Sequence, residues 1–374
     1  EGVTGGFDGA GSSSRTDPVR VEVRPAPNLQ GKWRCWGSVA GSGWGAFKCG
    51  GSWVKAVQCT RYGGPEELEV VDLPEPGAPG AGQVQVALEA RGIQFSDLVR
   101  MKGEYQVQSP LPFVVGGEGA GKITAVGSGV SELAVGDLVL CPGGCVETLN
   151  VSAKAVTALP QTADPIIAAS FRNNYATAYD GLQRARLAPG ESLLVHGSAG
   201  GVGLAAVDLG KLLGATVIGT ASSDEKLAVV TTMGADHVIN YGNGFREPVK
   251  ALTGGLGADV IYDPVGGDVF DESMRCIAPF GRILVVGFTS GRAAQAKTNH
   301  LLVKDAAVIG YTVGGLQKYA PERNARNSAV LLDWLGSGRI KPHVSHVLPM
   351  ARIHEAYQLI VDRKVVGKIM ISNE

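Results

Sequence analysis

Histidine is missing from the first half of this 374-residue chain; the six present are His196, His237, His300, His343, His346 and His354. An imidazole-based metal centre in the N-terminal half has no ligands to build on, because zinc sites draw mainly on His and Cys. The six cysteines, Cys35, Cys49, Cys59, Cys141, Cys145 and Cys276, contain no Cys-x-x-Cys pair and are too sparse for a disulfide scaffold. They read as free thiols, and Cys141-x-x-x-Cys145 offers only two ligands. Charge is scarce as well: 18% of residues are Asp, Glu, Lys or Arg and the formal net charge is -1. That leaves no field to gather nucleic acid or an anionic membrane. No apolar run approaches the roughly 18 residues a bilayer-crossing helix needs, since the most hydrophobic stretch, residues 193–213, is broken by Gly, Ser, His, Asp and Lys. Composition therefore predicts a soluble protein.

What is plentiful is apolar residue, 44% of the chain, enough for a core in each of two domains. Residues 1–52 stand apart. Rich in Gly and Ser, they carry Trp33, Trp36 and Trp44 without periodicity and give way abruptly at Val54-Lys55-Ala56-Val57. They read as an unstructured extension or the remnant of a targeting segment, with four Arg and two Lys against two Asp and two Glu but no clear amphipathic Arg-rich helix. The compartment expected is the cytoplasm, or an organelle if that remnant is an address. From about 54 to 160 short β-type runs (residues 83–88, 123–126 and 138–140) alternate with Gly- and Pro-containing turns, which predicts an antiparallel, barrel-like domain. From about 190 the rhythm becomes strand, helix, strand, with apolar runs at 193–195, 216–221, 237–241, 260–262, 283–288 and 306–311. Such alternation predicts a doubly wound parallel sheet covered by helices on both faces. The strand-like runs at 344–348 and 366–371 then need a sheet edge, and the first domain offers one.

The strongest local signal is Leu193-Leu194-Val195-His196-Gly197-Ser198-Ala199-Gly200-Gly201-Val202-Gly203, a buried strand running into a Gly-rich turn and then into a helix with Ala205, Ala206, Leu209 and Leu213 on its apolar face. Ser198, Ala199, Gly200, Gly201, Val202 and Gly203 are thereby predicted to seat a pyrophosphate, held by free amides and the positive end of the helix. An NAD site places Asp or Glu at the end of the next strand, about 20 residues on. Here the chain has Ala221-Ser222-Ser223, with Lys226 one helical turn later. Ser222 and Ser223 make room for a 2'-phosphate and Lys226 offers it charge, so the predicted cofactor is NADPH. Asp224 and Glu225 read as first-turn acids favoured by the helix dipole; Lys226 alternatively is a solvated helix face.

This loop, with Tyr175-Ala176-Thr177-Ala178-Tyr179 before it and Val285-Val286-Gly287-Phe288 after it, resembles the zinc-free quinone oxidoreductase (zeta-crystallin-like) branch of the medium-chain dehydrogenase/reductase family. Further stretches carry the resemblance from about residue 54 onward: Tyr62-Gly63-Gly64-Pro65, Gly92-Ile93-Gln94-Phe95-Ser96-Asp97, Gly136-Asp137, Asp263-Pro264-Val265-Gly266-Gly267 and Gly367-Lys368. The resemblance implies a GroES-like β-barrel catalytic domain assembled from both chain ends, 53–172 and 316–374, around a Rossmann domain at 173–315, and a homodimer. Zinc-dependent relatives have Cys in the first-domain segment, a Gly-His-Glu and a lobe of four closely spaced Cys. This chain reads Arg91-Gly92-Ile93-Gln94 and Gly116-Gly117-Glu118 at the first two places, so no metal is expected.

The resemblance also implies site residues. Gln94 stands where the family commonly has Asn, and a carboxamide there either holds the nicotinamide or donates to the acceptor carbonyl. Tyr105 is expected to face the nicotinamide cleft, as a hydrogen-bond donor to a developing oxyanion or as an aromatic wall. Tyr175 is a catalytic candidate ranked below Tyr105, either core or pocket lining. Thr177 is expected at the ring, Tyr241 near the 2'-phosphate, Phe288 after the strand that backs the ring, and Lys368 near the cleft or on a surface strand. Asp97 reads as a structural acceptor in its loop. Two departures from the family pattern, the polar Ser170-Phe171-Arg172-Asn173-Asn174 and Asp208, bear on substrate choice.

Without a Lewis acid a simple ketone is a poor hydride acceptor, whereas a quinone or enone spreads the charge onto oxygen. The predicted activity is NADPH-dependent reduction of a small hydrophobic quinone or α,β-unsaturated carbonyl. The alternatives are an enal or enone double-bond reductase that handles quinones poorly, and a low-turnover NADPH-binding protein with a structural or RNA-binding role, against which near-neutral composition argues.

Overall fold

The computed structural model describes residues 52–105 and 108–373, together with the backbone of two short strands upstream. It divides into two units, residues 1–52 and 53–374. In the first, Cys35–Val39 and Ser42–Phe47 pair antiparallel, an element the aperiodic sequence did not announce. The remainder of that segment, and its reading as an extension or targeting remnant, lies outside the described residues.

In the second unit the apolar runs become a six-stranded, wholly parallel sheet in the order His237–Asn240, Thr216–Ala221, Ser192–Val195, Ala258–Asp263, Ile277–Val285, Ala307–Gly310. Leu193, Leu194, Val195, Val217, Ile218, Val260, Ile261 and Ile283 are all buried, as a sheet covered on both faces demands. The crossovers include the helices Gly201–Leu212, Asp224–Thr232, Arg246–Leu252 and Gly267–Ser273. The strand order reverses at Ser192–Val195, and a crevice opens at such a reversal beyond the carboxyl ends of the strands.

The other large sheet is seven-stranded and chiefly antiparallel. Its path runs Thr157–Ala158, Leu138–Cys141, Glu118–Val126, Gln83–Ile93, Lys368–Ser372, Val344–Pro349, with Thr148–Ser152 also on Gln83–Ile93. Val84, Val86, Leu88 and Ala90 alternate inward along Gln83–Ile93, the period of two that a half-buried strand requires. Lys368–Ser372 lies antiparallel to that strand, Met370 opposite Gly92, so both ends of this unit share one sheet. A smaller sheet joins Trp53–Cys59 to Leu68–Pro74 and Phe113–Val114.

A long helix, Pro165–Arg184, packs against both large assemblies, touching Gly201–Leu212 on one side and Gln83–Ile93 and Glu118–Val126 on the other. Asp164 caps it, its carboxylate accepting from Ile166 N at 2.8 Å, and Pro165 opens the first turn. The helix Pro321–Gly336 lies along it, with the Trp334 ring edge-on to Tyr179 at 5.3 Å and Arg323 2.6 Å from the buried Asp180 carboxylate. The junctions expected at 172/173 and 315/316 therefore fall inside the continuous helices Pro165–Arg184 and Val313–Tyr319, not in linkers. No helix among the described residues is long and apolar enough to cross a membrane.

Candidate cofactor and substrate site

The Gly-rich turn leaves the end of Ser192–Val195 and enters the helix Gly201–Leu212 with Gly200 as its N-cap and no capping side chain. The first-turn amides of Gly201, Val202 and Gly203 have no partner within the helix and point at whatever binds there. Ser198, expected to help seat the pyrophosphate, has no free donor left to offer it. It is buried, with both its N–H and its hydroxyl donating to the Thr220 carbonyl, at 3.0 and 2.9 Å. A Cβ on Gly203 would fall on the Gly197 carbonyl oxygen and within 2.8 Å of Ser198 Cα, so the helix can come this close to the loop only without a side chain. Such a cradle of amides fits a dinucleotide pyrophosphate.

Beneath the loop, His196 is fully enclosed. Its Nε2 meets Ser273 Oγ at 2.8 Å and its Nδ1 meets Thr220 Oγ1 at 3.0 Å. Because Ser273 donates its own proton to Val269 O at 2.7 Å, Nε2 must carry the ring proton and Nδ1 accept. Burial pushes the imidazole down to about 3, leaving a neutral strut between the sheet and the helix Gly267–Ser273.

On its other side the loop meets the C-terminal strand. Gly367 N donates to Ala199 O at 2.8 Å and Gly367 bridges Gly200. The next residue, Lys368, is buried and paired with buried Glu118. Glu118 Oε2 accepts from Asn173 N at 3.0 Å, and Asn173 Nδ2 donates to Gln94 Oε1 at 2.8 Å. Gln94 N in turn donates to Asp97 Oδ2 at 2.9 Å, which also receives the Tyr357 hydroxyl at 3.1 Å. A Cβ on Gly92 would lie 2.7 Å from Glu118 Oε1 and 2.9 Å from Lys368 Cε, so the ion pair packs onto bare backbone. The preceding Arg91 turns into the barrel, where the Val146 and Leu88 carbonyls accept from it at 2.9 and 2.8 Å.

The remaining residues singled out in the sequence are dispersed. Thr177 spends its hydroxyl on Asn173 O at 2.7 Å. Tyr175, expected as core or pocket lining and named among the catalytic candidates, is core: its buried hydroxyl donates to Asp208 Oδ2 at 2.6 Å, and Lys341 N reaches the same oxygen at 3.0 Å. The reason is helical geometry, since Asn173 and Thr177 stand four apart on one face and Tyr175 falls on the opposite one. Tyr105 is 38% exposed and its hydroxyl has no partner among the described residues, which omit 106 and 107.

Ser222 is exposed, and Ser223 stands at the N-cap position of Asp224–Thr232 without a side-chain cap bond; its hydroxyl meets the Glu225 carboxylate, whose pKa is lowered by the Glu225 amide and by that hydroxyl. Lys226 donates to the Arg363 carbonyl at 2.7 Å, which draws the exposed Arg363 to this end of the site, a residue that sequence reading had not noticed. Tyr241 lines, with Phe245, Arg246, Asp268 and Val269, a cavity of about 430 Å³ between the N-termini of Arg246–Leu252 and Gly267–Ser273. Phe288 is partly exposed on a loop tied to the Asp263-Pro264-Val265 turn by Val286 N, Thr289 N and Ser290 N. Sequence reading also missed Glu118 and Asn173, and only the polar run 170–174 hinted at the latter.

Two family models match the chain: the alcohol dehydrogenase GroES-like domain over residues 80–166, and the zinc-binding dehydrogenase over residues 201–327. A quinone oxidoreductase-like protein 2 homolog of Nematostella vectensis is 39% identical over 86% of this chain and 89% of its own length. Among solved structures, the Escherichia coli quinone oxidoreductase complexed with NADPH superposes with a TM-score of 0.78 at 30% identity, covering 85% of this chain and 99% of that one. The CurK enoyl reductase does so with a TM-score of 0.77 at 27% identity, covering 86% and 99%.

Two measurements test this geometry. Substituting Gly203→Ala should weaken NADPH binding by at least roughly tenfold, the worth of one lost phosphate-amide contact at 1.5 kcal/mol or more, while thermal unfolding stays cooperative; unaltered affinity by titration calorimetry would remove the loop as the seat. Asp97 is entirely buried, and burial pushes its carboxyl up to about 6, restrained by Gln94 N and the nearby Lys368 and Arg100 charges. The folded protein thus holds this proton more tightly than the unfolded chain, where the carboxyl titrates near its usual value. Its stabilising effect is complete below about pH 4 and lost as pH rises through 6, roughly 3 kcal/mol in all. The stability of the protein relative to its Asp97→Asn variant should therefore fall over that interval in denaturant titrations; a difference that stays constant with pH would refute the shift.

Proposed function

The chain belongs to the medium-chain dehydrogenase/reductase family, in its quinone oxidoreductase-like branch, and from that premise we propose that it uses NADPH to reduce quinones or α,β-unsaturated carbonyl compounds without zinc. The observation that carries the reading is the junction of phosphate loop and carboxamide: Ala199 bonded to Gly367, Lys368 paired with Glu118, and Asn173 bridging Glu118 to Gln94. The loop would hold the pyrophosphate, and Ser222, Lys226, Arg363 and Tyr241 would take the adenosine 2'-phosphate, a reading supported by the bond between Lys226 and Arg363. Similarity to a quinone oxidoreductase complexed with NADPH supports the same cofactor here.

When bound, NADPH supplies a hydride. A quinone that accepts it, or an enone that accepts it at the β-carbon, acquires negative charge on oxygen; Gln94 Nε2 or the Tyr105 hydroxyl donates to that oxygen, and solvent delivers the proton that completes the product. Preorganised donors of this kind cost little rearrangement as charge develops, and holding both reactants between the lobes does the larger share of the work.

The donor set does not suit zinc. Gln94 occupies the place of a thiolate, Glu118 is consumed by Lys368 and Asn173, and burial pushes the Cys141 and Cys145 thiols up to about 12, so both remain protonated. Among the described residues no group of three or more potential ligands converges.

We further propose a homodimer formed across the outer edge of the parallel sheet. Ala307–Gly310 is the terminal strand there, and Leu302, Val303 and Tyr319 beside it are each more than three-quarters exposed.

The decisive assay follows NADPH oxidation by the full chain against menadione, cyclohexenone and cyclohexanone, with and without chelator. Turnover of menadione or cyclohexenone that chelator leaves intact, with cyclohexanone inert, is the expected result, and the ratio of the first two chooses between quinone reductase and enone reductase. Cyclohexanone turnover abolished by chelator would overturn the zinc-free reading, and tight NADPH binding without turnover would leave a cofactor-binding protein. In sedimentation, the protein should run at twice 38.7 kDa and Leu302→Asp should shift it toward the monomer; a monomeric parent protein would discard the dimer.

A further inference from the structure

Gln94 has two hydrogen-bonding ends, and only one is free. Its Oε1 accepts from Asn173 Nδ2 at 2.8 Å. Its Nε2 has no protein partner among the described residues and lies 3.9 Å from where a Cβ on Gly117 would sit. A primary amide presents an acceptor at one end and two donors at the other, so whatever grips one end decides what the other offers. Asn173 is well placed to grip. Its own main chain is held on both sides, N–H on Glu118 Oε2 at 3.0 Å and carbonyl under Thr177 Oγ1 at 2.7 Å. Glu118 is immobilised in turn by Lys368 in a pair that is almost wholly buried.

We propose that Asn173 is a positioning residue that locks Gln94 as a hydrogen-bond donor toward the substrate, and that the site thereby selects acceptors carrying an oxygen opposite Gln94 Nε2, a quinone oxygen or an enone carbonyl. With Oε1 engaged, Gln94 cannot turn its own oxygen toward that position without giving up the Asn173 bond. A developing oxyanion then meets N–H and is stabilised; a substrate group that must donate finds no acceptor. The inference rests on Gln94 acting in the reaction proposed above.

Alanine separates the side chain of Asn173 from its structural duties, because the bond to Glu118 comes from the main chain and survives the substitution. The variants Asn173→Ala, Asn173→Asp, Gln94→Ala and the double alanine are compared by kcat/KM for menadione and cyclohexenone and by NADPH Kd. N173A should lower kcat/KM roughly three- to tenfold, the range of one neutral hydrogen bond, with NADPH Kd unchanged. N173D replaces the donor by an acceptor, draws Gln94 Nε2 toward itself and turns Oε1 to the substrate, so its loss should exceed that of N173A. In the Q94A background N173A should cost nothing more, since there is no carboxamide left to orient. Wild-type activity in N173D, or an N173A loss that persists in full on top of Q94A, overturns the proposal while leaving Gln94 its role. Wild-type activity in Q94A overturns the role of Gln94 itself and the orientation with it.

Discussion

The pair between Lys368 and Glu118 is the interaction around which the site is assembled. Taking both charges out of water costs several kcal/mol per ion, and their attraction offsets this only when the remaining lone pairs are also satisfied. Here the second oxygen of Glu118 receives a helix amide, and Gly92 offers the pair a surface with no side chain to displace it. One residue before Lys368, Gly367 is bonded to the phosphate loop; one residue after Gly117, Glu118 begins a strand of the catalytic sheet. A cofactor loop, a sheet and the long helix Pro165–Arg184 are thus referenced to a single point. Breaking either ion would leave the other uncompensated, and all three would lose their common origin.

Around that point the chemistry divides by distance. Near it lies the Gln94 carboxamide, the group proposed to act on a substrate. Farther out, at the ends of the neighbouring parallel strands, lie Ser222 and Lys226, the groups proposed for the adenosine end of a dinucleotide. Lys226 and Arg363 are separated by 137 residues yet are joined by a hydrogen bond from the Lys226 ammonium to the Arg363 carbonyl, so the segment that leads into Lys368 is anchored at its start by a residue of the Rossmann half. The two halves grip each other through the same stretch of backbone at both ends of the cofactor seat.

How much of this could be read in advance follows from sequence separation. The Gly-rich strand-turn-helix was legible because strand, glycines and helix are consecutive, and the parallel sheet because its runs repeat at even spacing. The choice of Ser222, Ser223 and Lys226 was a local argument too, though it could not foresee that Lys226 also binds a carbonyl. The Glu118–Lys368 pair spans 250 residues, and nothing in either neighbourhood marks its charge as buried; Lys368 was identified by its glycine alone. Tyr175 was singled out for being aromatic within a matching motif, and the helical phase that turns it toward Asp208 outweighed that. Domain junctions came from the family resemblance, and the chain crosses them inside the helices Pro165–Arg184 and Val313–Tyr319.

The shared sheet has a consequence for the order in which the molecule is made. Every pairing of the parallel sheet is complete once residue 310 has been synthesised, so that half can collapse as soon as its own strands emerge. Gln83–Ile93, synthesised far earlier, pairs soon with Glu118–Val126 and Thr148–Ser152, but its last residues, Ala90 to Ile93, must wait for Lys368–Ser372, and contacts that close so long a loop form slowly and leave strand edges open meanwhile. The reacting end of the site is therefore a late product of biosynthesis. During that interval the Gly-rich loop of the nascent chain lacks the Gly367 amide that will bind Ala199, and the Gln94 carboxamide lacks the lysine that will lock its supports in place.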